Sequence, residues 1–376
     1  MAGGAAVIYL DSAATTLQKP PQVAQAAARA IRTHASVGRG GHPAAERAAR
    51  TVFACRSLAA ELFDAAPEQV VFTMNATHGL NLAIKTLVKR GDRVIVSGYE
   101  HNAVMRPLHA CGAEVTVVGS ELFRPDRLLE ELAQALAQRP SAVVCTHVSN
   151  VFGYILPIDG VAALCRMHGV PLVIDASQSA GTLPVSLEKS GAAFIAMPGH
   201  KGLYGPQGTG LLLCGRSGEP LLEGGTGSNS ELAEMPDFLP DRLEAGTHNV
   251  CGIAGLYEGL RFVRRMTPAR IFRREEALVG LLRRQTEGLR GLRGRFGAEQ
   301  SGVVSFCAEG TDCETAAQRL AAAGFAVRAG LHCAPLAHRS AGTLEHGTFR
   351  VSFSAFNTPE EVRRFAAACN NLFSKK

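Results

Sequence analysis

The chain has 376 residues, 46% of them hydrophobic and 19% charged, with a formal net charge of +6. That length and apolar content fit one large and one small packed unit and exclude a disordered chain. The mild charge comes from dispersed basic residues, which argues against a nucleic-acid partner, and no apolar run reaches the ~20 residues of a membrane helix. An arginine-rich stretch at 261–295 carries Ile271, Leu278, Leu281, Leu282 and Leu289 at helical spacing and no interleaved aromatics, so it reads as the solvated face of a long helix. Met1–Ala6 is small and uncharged, so no export signal is expected. Ten cysteines without a C-x-x-C pair indicate reduced thiols and a cytoplasmic setting.

From about residue 50, strand-like and helix-like patterns alternate. Val70-Val71-Phe72 leads into a helix over Thr77–Lys89, and Arg93-Val94-Ile95-Val96 leads to Glu100-His101 and another helix. Apolar strands follow at 114–118, 142–145, 170–174, 194–197 and 210–214. Such strands, separated by helices, predict an α/β fold with a mostly parallel sheet covered on both faces. Two helices then cover 252–266 and the arginine-rich stretch, with a break at Pro268. Past residue 300 the pattern is βαβ-like: strands at 302–307 and 325–328 flank a helix at 316–323. A strand at 349–353 and a last amphipathic helix over 359–373 follow.

Ligands of parallel sheets bind beyond the carboxyl ends of the strands. Thr77, His101, Asn150, Asp175 and Lys201 all fall just past a strand's end. An acid at one strand end and a lysine at the next are what pyridoxal 5'-phosphate requires. The amine carries the aldehyde as a Schiff base, and the acid keeps the pyridine nitrogen protonated. Asn75-Ala76-Thr77 joins a strand to a helix, so the N–H groups at Ala76 and Thr77 and the Thr77 hydroxyl suit a phosphate, with His200 in reach of it. His101 suits ring stacking and proton exchange. Asn150 and Gln178 are amides fit to donate to the ring's phenolic oxygen. His332, Cys333, His338 and His346 match no strong zinc spacing, so no metal is expected.

These blocks are similar to those of the cysteine desulfurases, in the class V aminotransferase group of fold-type I enzymes. The resemblance runs in order through Tyr9-Leu10-Asp11-Ser12-Ala13-Ala14, Glu100-His101-Asn102, His147-Val148-Ser149-Asn150, Asp175-Ala176-Ser177-Gln178, Gly199-His200-Lys201, Glu244-Ala245-Gly246-Thr247 and Arg350-Val351-Ser352-Phe353. It implies a large cofactor-binding domain at 15–260 around a seven-stranded type of sheet. A small α/β domain at 261–376 would follow, with 1–14 packing nearby. It implies a homodimer in which Thr247 reaches the partner's phosphate.

One block narrows the reaction. In Val327-Arg328-Ala329-Gly330-Leu331-His332-Cys333-Ala334, the resemblance makes Cys333 the acceptor of sulfur from L-cysteine, leaving a persulfide and alanine. Gly330 suggests mobility before the nucleophile, and Arg328 and His332 suggest support for a thiolate. Arg350 matches the arginine that pairs with the substrate carboxylate, with Arg328 and His42 as further substrate contacts. Two features set this chain apart. Pro198 stands where relatives have a phosphate-binding serine, and only sixteen residues, 334–349, separate Cys333 from Arg350. The second feature resembles the short-loop (second) group, whose cysteine sits on an ordered segment and which often needs a sulfur-acceptor protein. Selenocysteine lyase, and an aminotransferase or epimerase that leaves Cys333 idle, are the competing enzyme readings; a scaffold without catalysis is the third class.

Overall fold

The structure is a computed structural model that describes residues 7–38 and 40–373. The expectation for Met1–Ala6 and the last three residues of the C-terminal region lie outside the described residues.

Seven strands form the main sheet, in the order Val70–Thr73, Gly210–Cys214, Phe194–Pro198, Leu172–Asp175, Ala142–Thr146, Arg93–Ser97, Glu114–Val118. Gly210–Cys214 runs antiparallel to both neighbours. The remaining neighbouring pairs are parallel. Successive side chains of a strand point to opposite faces, and the two faces feed separate cores. Ile95, Ile174, Ile195 and Met197 enter one core with Leu58 and Leu128. Val94, Val96, Val173 and Phe194 enter the other with Leu80 and Ile84. Because both faces are dry, the strands show continuous burial rather than alternation.

Helices Pro21–Thr33 and Pro43–Leu62 lie outside the predicted pattern, although each begins on a helix-starting proline. Both pack on the helix Val250–Met266. Thr267, at φ +64°, breaks this helix from Pro268–Thr286, one residue before the expected proline.

The C-terminal third differs from the βαβ expectation. Its four-stranded sheet, in the order Arg328–Gly330, Thr348–Ser352, Val303–Ala308, Leu292–Gly294, is antiparallel throughout. The predicted strand at 325–328 splits. Phe325–Ala326 pairs in parallel with Ile8–Tyr9, while Arg328–Gly330 pairs with Thr348–Ser352. A short apolar run shows that a strand forms but not which neighbour it finds; that is settled by where the distant chain passes. Helices Pro268–Thr286, Cys313–Ala322 and Pro359–Phe373 close a separate core around Val304, Phe306, Phe349 and Val351. No helix among the described residues is long and apolar enough to cross a membrane.

Candidate active site

The parallel strands deliver their ends to one cavity. Ala76 and Thr77 line it from the start of the helix Ala76–Leu87, and Asn150 from the loop after Ala142–Thr146. Asp175 and Gln178 line it past Leu172–Asp175, and His200 and Lys201 past Phe194–Pro198. His101, the N-cap of the helix Asn102–Cys111, completes it. Eight of the predicted residues thus share one space.

Lys201 hangs on a tight loop in which Gly199 N–H donates to the Thr209 carbonyl at 2.8 Å and Gly205 N–H to the Gly199 carbonyl at 2.7 Å. A side chain at Gly199 would collide with Thr209 Oγ1, so glycine is required there. Burial lowers the Lys201 amine to about 8, against the opposing pull of Asp175 and with help from Arg350 and Arg328. Its Nζ makes no hydrogen bond or ion pair among the described residues. Asp175 is 2% exposed and its Oδ1 accepts from Ser177 N–H at 2.9 Å.

His101 Nδ1 accepts from Ala103 N–H at 3.0 Å, so the ring's proton sits on Nε2. Burial lowers its pKa to about 4, opposed by Asp175 and reinforced by Lys201, Arg106 and Arg328. Asn150 and Gln178 each already donate one amide N–H to backbone, Asn150 to the His332 carbonyl at 2.8 Å and Gln178 to the Ala13 carbonyl at 3.0 Å. One amide N–H on each is left for a ligand.

The chemistry of this donor set fits pyridoxal phosphate. The helix start at Ala76–Thr77 would offer N–H groups to the phosphate, the buried Asp175 carboxylate would suit the ring nitrogen, and the desolvated Lys201 amine would suit the aldehyde. His200 Nδ1 is buried without a hydrogen-bond partner, a vacancy that a ligand oxygen would fill. Pro198 lines the cavity with neither hydroxyl nor N–H.

Cys333 lies in the turn just past the strand Arg328–Gly330 of the antiparallel sheet. It is exposed, on a tight turn closed by Ala334 N–H donating to the Leu331 carbonyl at 2.8 Å. Both central residues, His332 at φ +50° and Cys333 at φ +57°, occupy the left-handed region, which is strained for residues with side chains. The turn is pinned to the cofactor side twice. Asn102 N–H, next to His101, donates to the Cys333 carbonyl at 2.8 Å, and Asn150 holds the His332 carbonyl.

These contacts correct the reading of Gly330 as a source of mobility and agree with the ordered segment that the short-loop resemblance implies, because Gly330 lies in a paired strand and the turn after it is anchored. His332 also supplies no positive charge to the thiol. It is 5% exposed, and burial, aided by Arg350, His338 and Arg328, lowers its pKa to about 2.

Arg350 is 2% exposed and lies directly opposite Arg328 in the register. Two like charges in that position repel unless an anion sits between or near them. Arg350 donates to Asp11 Oδ1 at 2.7 Å and to the Asn150 carbonyl at 2.9 Å, and its Nε is buried without a partner. Arg328 is exposed.

Two predicted residues stay apart. His42 is an exposed N-cap of Pro43–Leu62. Thr247 is exposed and lines a separate cavity of about 220 Å³ with His78, Glu244 and His248. Its segment is fastened to the core by Glu244, which accepts two hydrogen bonds from buried Arg56 at 2.8 Å and one from Phe72 N–H at 2.6 Å.

Sequence reading passed over Asp11 as a partner of Arg350, and it passed over Glu100. Glu100 is fully buried, accepts from Ser97 Oγ at 2.5 Å and Thr146 N–H at 2.7 Å, and is raised to about 8 by desolvation. The local signal is an acid three residues past the end of the apolar strand Arg93–Ser97. No group of three or more potential metal ligands occurs among the described residues.

The family model for class-V aminotransferases matches residues 8–365. A probable cysteine desulfurase of Pyrococcus abyssi is 31% identical over 97% of this chain and 94% of its own length. A cysteine desulfurase of Klebsiella pneumoniae is 34% identical over 98% and 94%. The apo structure of a cysteine desulfurase from Thermococcus onnurineus NA1 superposes with a TM-score of 0.88 at 31% identity, covering 98% of this chain and 94% of that one.

Proposed function

Since the chain belongs to the class-V aminotransferase family and, within it, to the cysteine desulfurases, we propose that it uses pyridoxal phosphate to move sulfur from L-cysteine onto Cys333 as a persulfide, releasing alanine. The observation that carries this reading is the double pinning of the Cys333 turn to Asn102 and Asn150, beside the lysine–aspartate pair.

Ala76, Thr77 and His200 would hold the cofactor's phosphate, joined by Thr247 of a second copy in a homodimer. Asp175 would hold its ring nitrogen, Asn150 and Gln178 its phenolic oxygen, and Lys201 its aldehyde. Once bound, pyridoxal phosphate supplies an electron sink for the α-carbon of an amino acid. Arg350 and Arg328 bind the substrate carboxylate, which relieves the repulsion between two facing guanidinium groups. Lys201, lowered by burial to about 8 so that its neutral form is within reach near physiological pH, moves the proton at the α-carbon. His101 offers a proton at Nε2 while its Nδ1 is tied to Ala103.

Cys333 Sγ then attacks the substrate sulfur. An S–S bond forms, the substrate's C–S bond breaks, and the carbon fragment takes up a proton and leaves as alanine. An exposed Sγ on an anchored turn means that the sulfur is collected by an acceptor protein that comes to it. His42 would approach the substrate only by movement or from a second copy. The proposed division into units at 15–260 and 261–376, with the first residues beside the second, is supported by the separate core around Val304 and Phe306, which takes in Ile8 and Leu10, and the ten unpaired cysteines support a cytoplasmic setting.

The test is alanine release from L-cysteine by the cofactor-loaded protein, with C333A alongside and L-selenocysteine as second substrate. Cysteine-dependent alanine that disappears in C333A supports the reading. Full release from C333A refutes the persulfide route, and a rate on selenocysteine far above that on cysteine makes the chain a selenocysteine lyase.

A further inference from the structure

Behind Cys333 lies a pair of buried histidines for which the chemistry above has no use. His332 and His338 stack with ring centroids 5.7 Å apart and planes 27° from parallel. His332 Nε2 donates to the Thr348 carbonyl at 3.2 Å, and Thr348 Oγ1 donates in turn to Ser305 Oγ at 3.0 Å. His338 is fully buried, with Nδ1 2.8 Å from Thr343 Oγ1 and its ring 5.8 Å from that of Phe152. Each ring leaves one nitrogen buried without a partner, His332 Nδ1 and His338 Nε2.

An unsatisfied buried polar atom costs about 1–3 kcal/mol, so two apolar side chains would fill this space at lower cost. What the imidazoles add is direction. The hydrogen bonds to Thr348 and Thr343 fix both ring planes, and the stack transmits that orientation to the residue preceding the nucleophile. That residue and Cys333 itself hold the left-handed backbone of the turn. The pair is compatible with stacking because burial keeps both rings neutral, His332 at about 2 and His338 at about 4.

We infer that His338 is a positioning residue for the sulfur-accepting turn: stacked on His332, it holds Cys333 in the strained conformation that presents Sγ to the substrate sulfur. This rests on the reading of Cys333 as the sulfur acceptor. The consequence is a split between the two halves of the reaction. Proton movement at the α-carbon, which needs Lys201, is independent of the stack, whereas sulfur transfer depends on it.

The experiment uses the cofactor-loaded wild type, H338A and H338F. Three quantities are followed: hydrogen exchange of the Ala334 amide, which closes the turn; α-carbon deuterium exchange of L-alanine; and alanine release from L-cysteine. In H338A the amide is expected to exchange at least tenfold faster and alanine release to fall about tenfold, with deuterium exchange of L-alanine within twofold of wild type. H338F, which restores a flat ring, recovers at least half of the release. Unchanged protection of Ala334, or release and deuterium exchange falling together, overturns the inference and leaves His338 an ordinary core residue. A wild type that releases no alanine from cysteine defeats the desulfurase reading, while the Ala334 amide still decides the role of the stack.

Discussion

The lysine side and the cysteine side of this site are built in different ways. Asp175 ends a strand of the mostly parallel sheet, and Lys201 and His101 stand three and four residues past the ends of two others, so a few consecutive residues fix their placement. Cys333 follows a three-residue strand of another sheet, and its position depends on Thr348 and His338 nearby and on Asn102 and Asn150 far away in the chain. The first half is a property of segments and the second a property of the assembled chain.

The strongest way to break that contrast is K201A. It is expected to lose the visible absorbance of the bound cofactor and to lower alanine release at least about a thousandfold, because covalent attachment and proton movement go together. Absorption spectra and a single-turnover assay check both. If K201A kept either, the lysine side would not be the centre of the chemistry.

R350A is expected to weaken more than the substrate carboxylate contact. Arg350 also ties Asp11 to the Asn150 loop, so KM should rise at least about tenfold and kcat should fall as well. R350K, which keeps the charge without the planar fork, should recover only part of this. An effect confined to KM would show that Arg350 does not help to place the cysteine side.

Two effects of pH follow. Lys201 is lowered to about 8 from 10.5, and only its neutral form captures an aldehyde. Capture of pyridoxal phosphate by the cofactor-free protein should therefore rise about tenfold per pH unit below 8 and level off above it, measured by stopped-flow absorbance. A rise continuing towards 10.5 would mean a hydrated lysine.

The smallest effect is expected at Glu100. Its folded pKa of about 8 lies above the ordinary 4.5, so the folded chain binds an extra proton between those values. Its contribution to stability is complete below about 4.5 and is lost as pH rises through 8. E100Q should flatten that loss, keeping Tm about 2 °C nearer its acidic value at pH 8.5 than wild type does, as calorimetry would show.

What could be read in the chain follows the same contrast. The parallel strands, the lysine–aspartate pair and the helix start at Ala76–Thr77 carry local patterns, and each lines the cavity. The identity of Cys333 as the distinctive thiol came from its neighbours in sequence. An ordered segment around it was implied by the short-loop resemblance, but not the contacts that hold it, because a glycine before it says nothing about carbonyls that Asn102 and Asn150 will hold. The neutrality of His332 was missed for a related reason, since burial is decided by Thr348 and His338 folding over it. The splitting of 325–328 between two sheets depends on Ile8–Tyr9, which lies more than 300 residues earlier.

The pair formed by Asp11 and Arg350 has a consequence during synthesis. Its members are 339 residues apart, so at ~5–20 residues per second Asp11 leaves the ribosome roughly 17–68 s before its guanidinium partner. In the last part of that interval, once residue 201 has been added, the nascent chain holds Lys201, Asp175 and His101 but has no clamp for an amino acid. A chain interrupted before residue 333 carries the lysine for the vitamin-derived aldehyde but no sulfur-accepting thiol, so liberation of sulfur waits for the segment that brings Cys333 and Arg350.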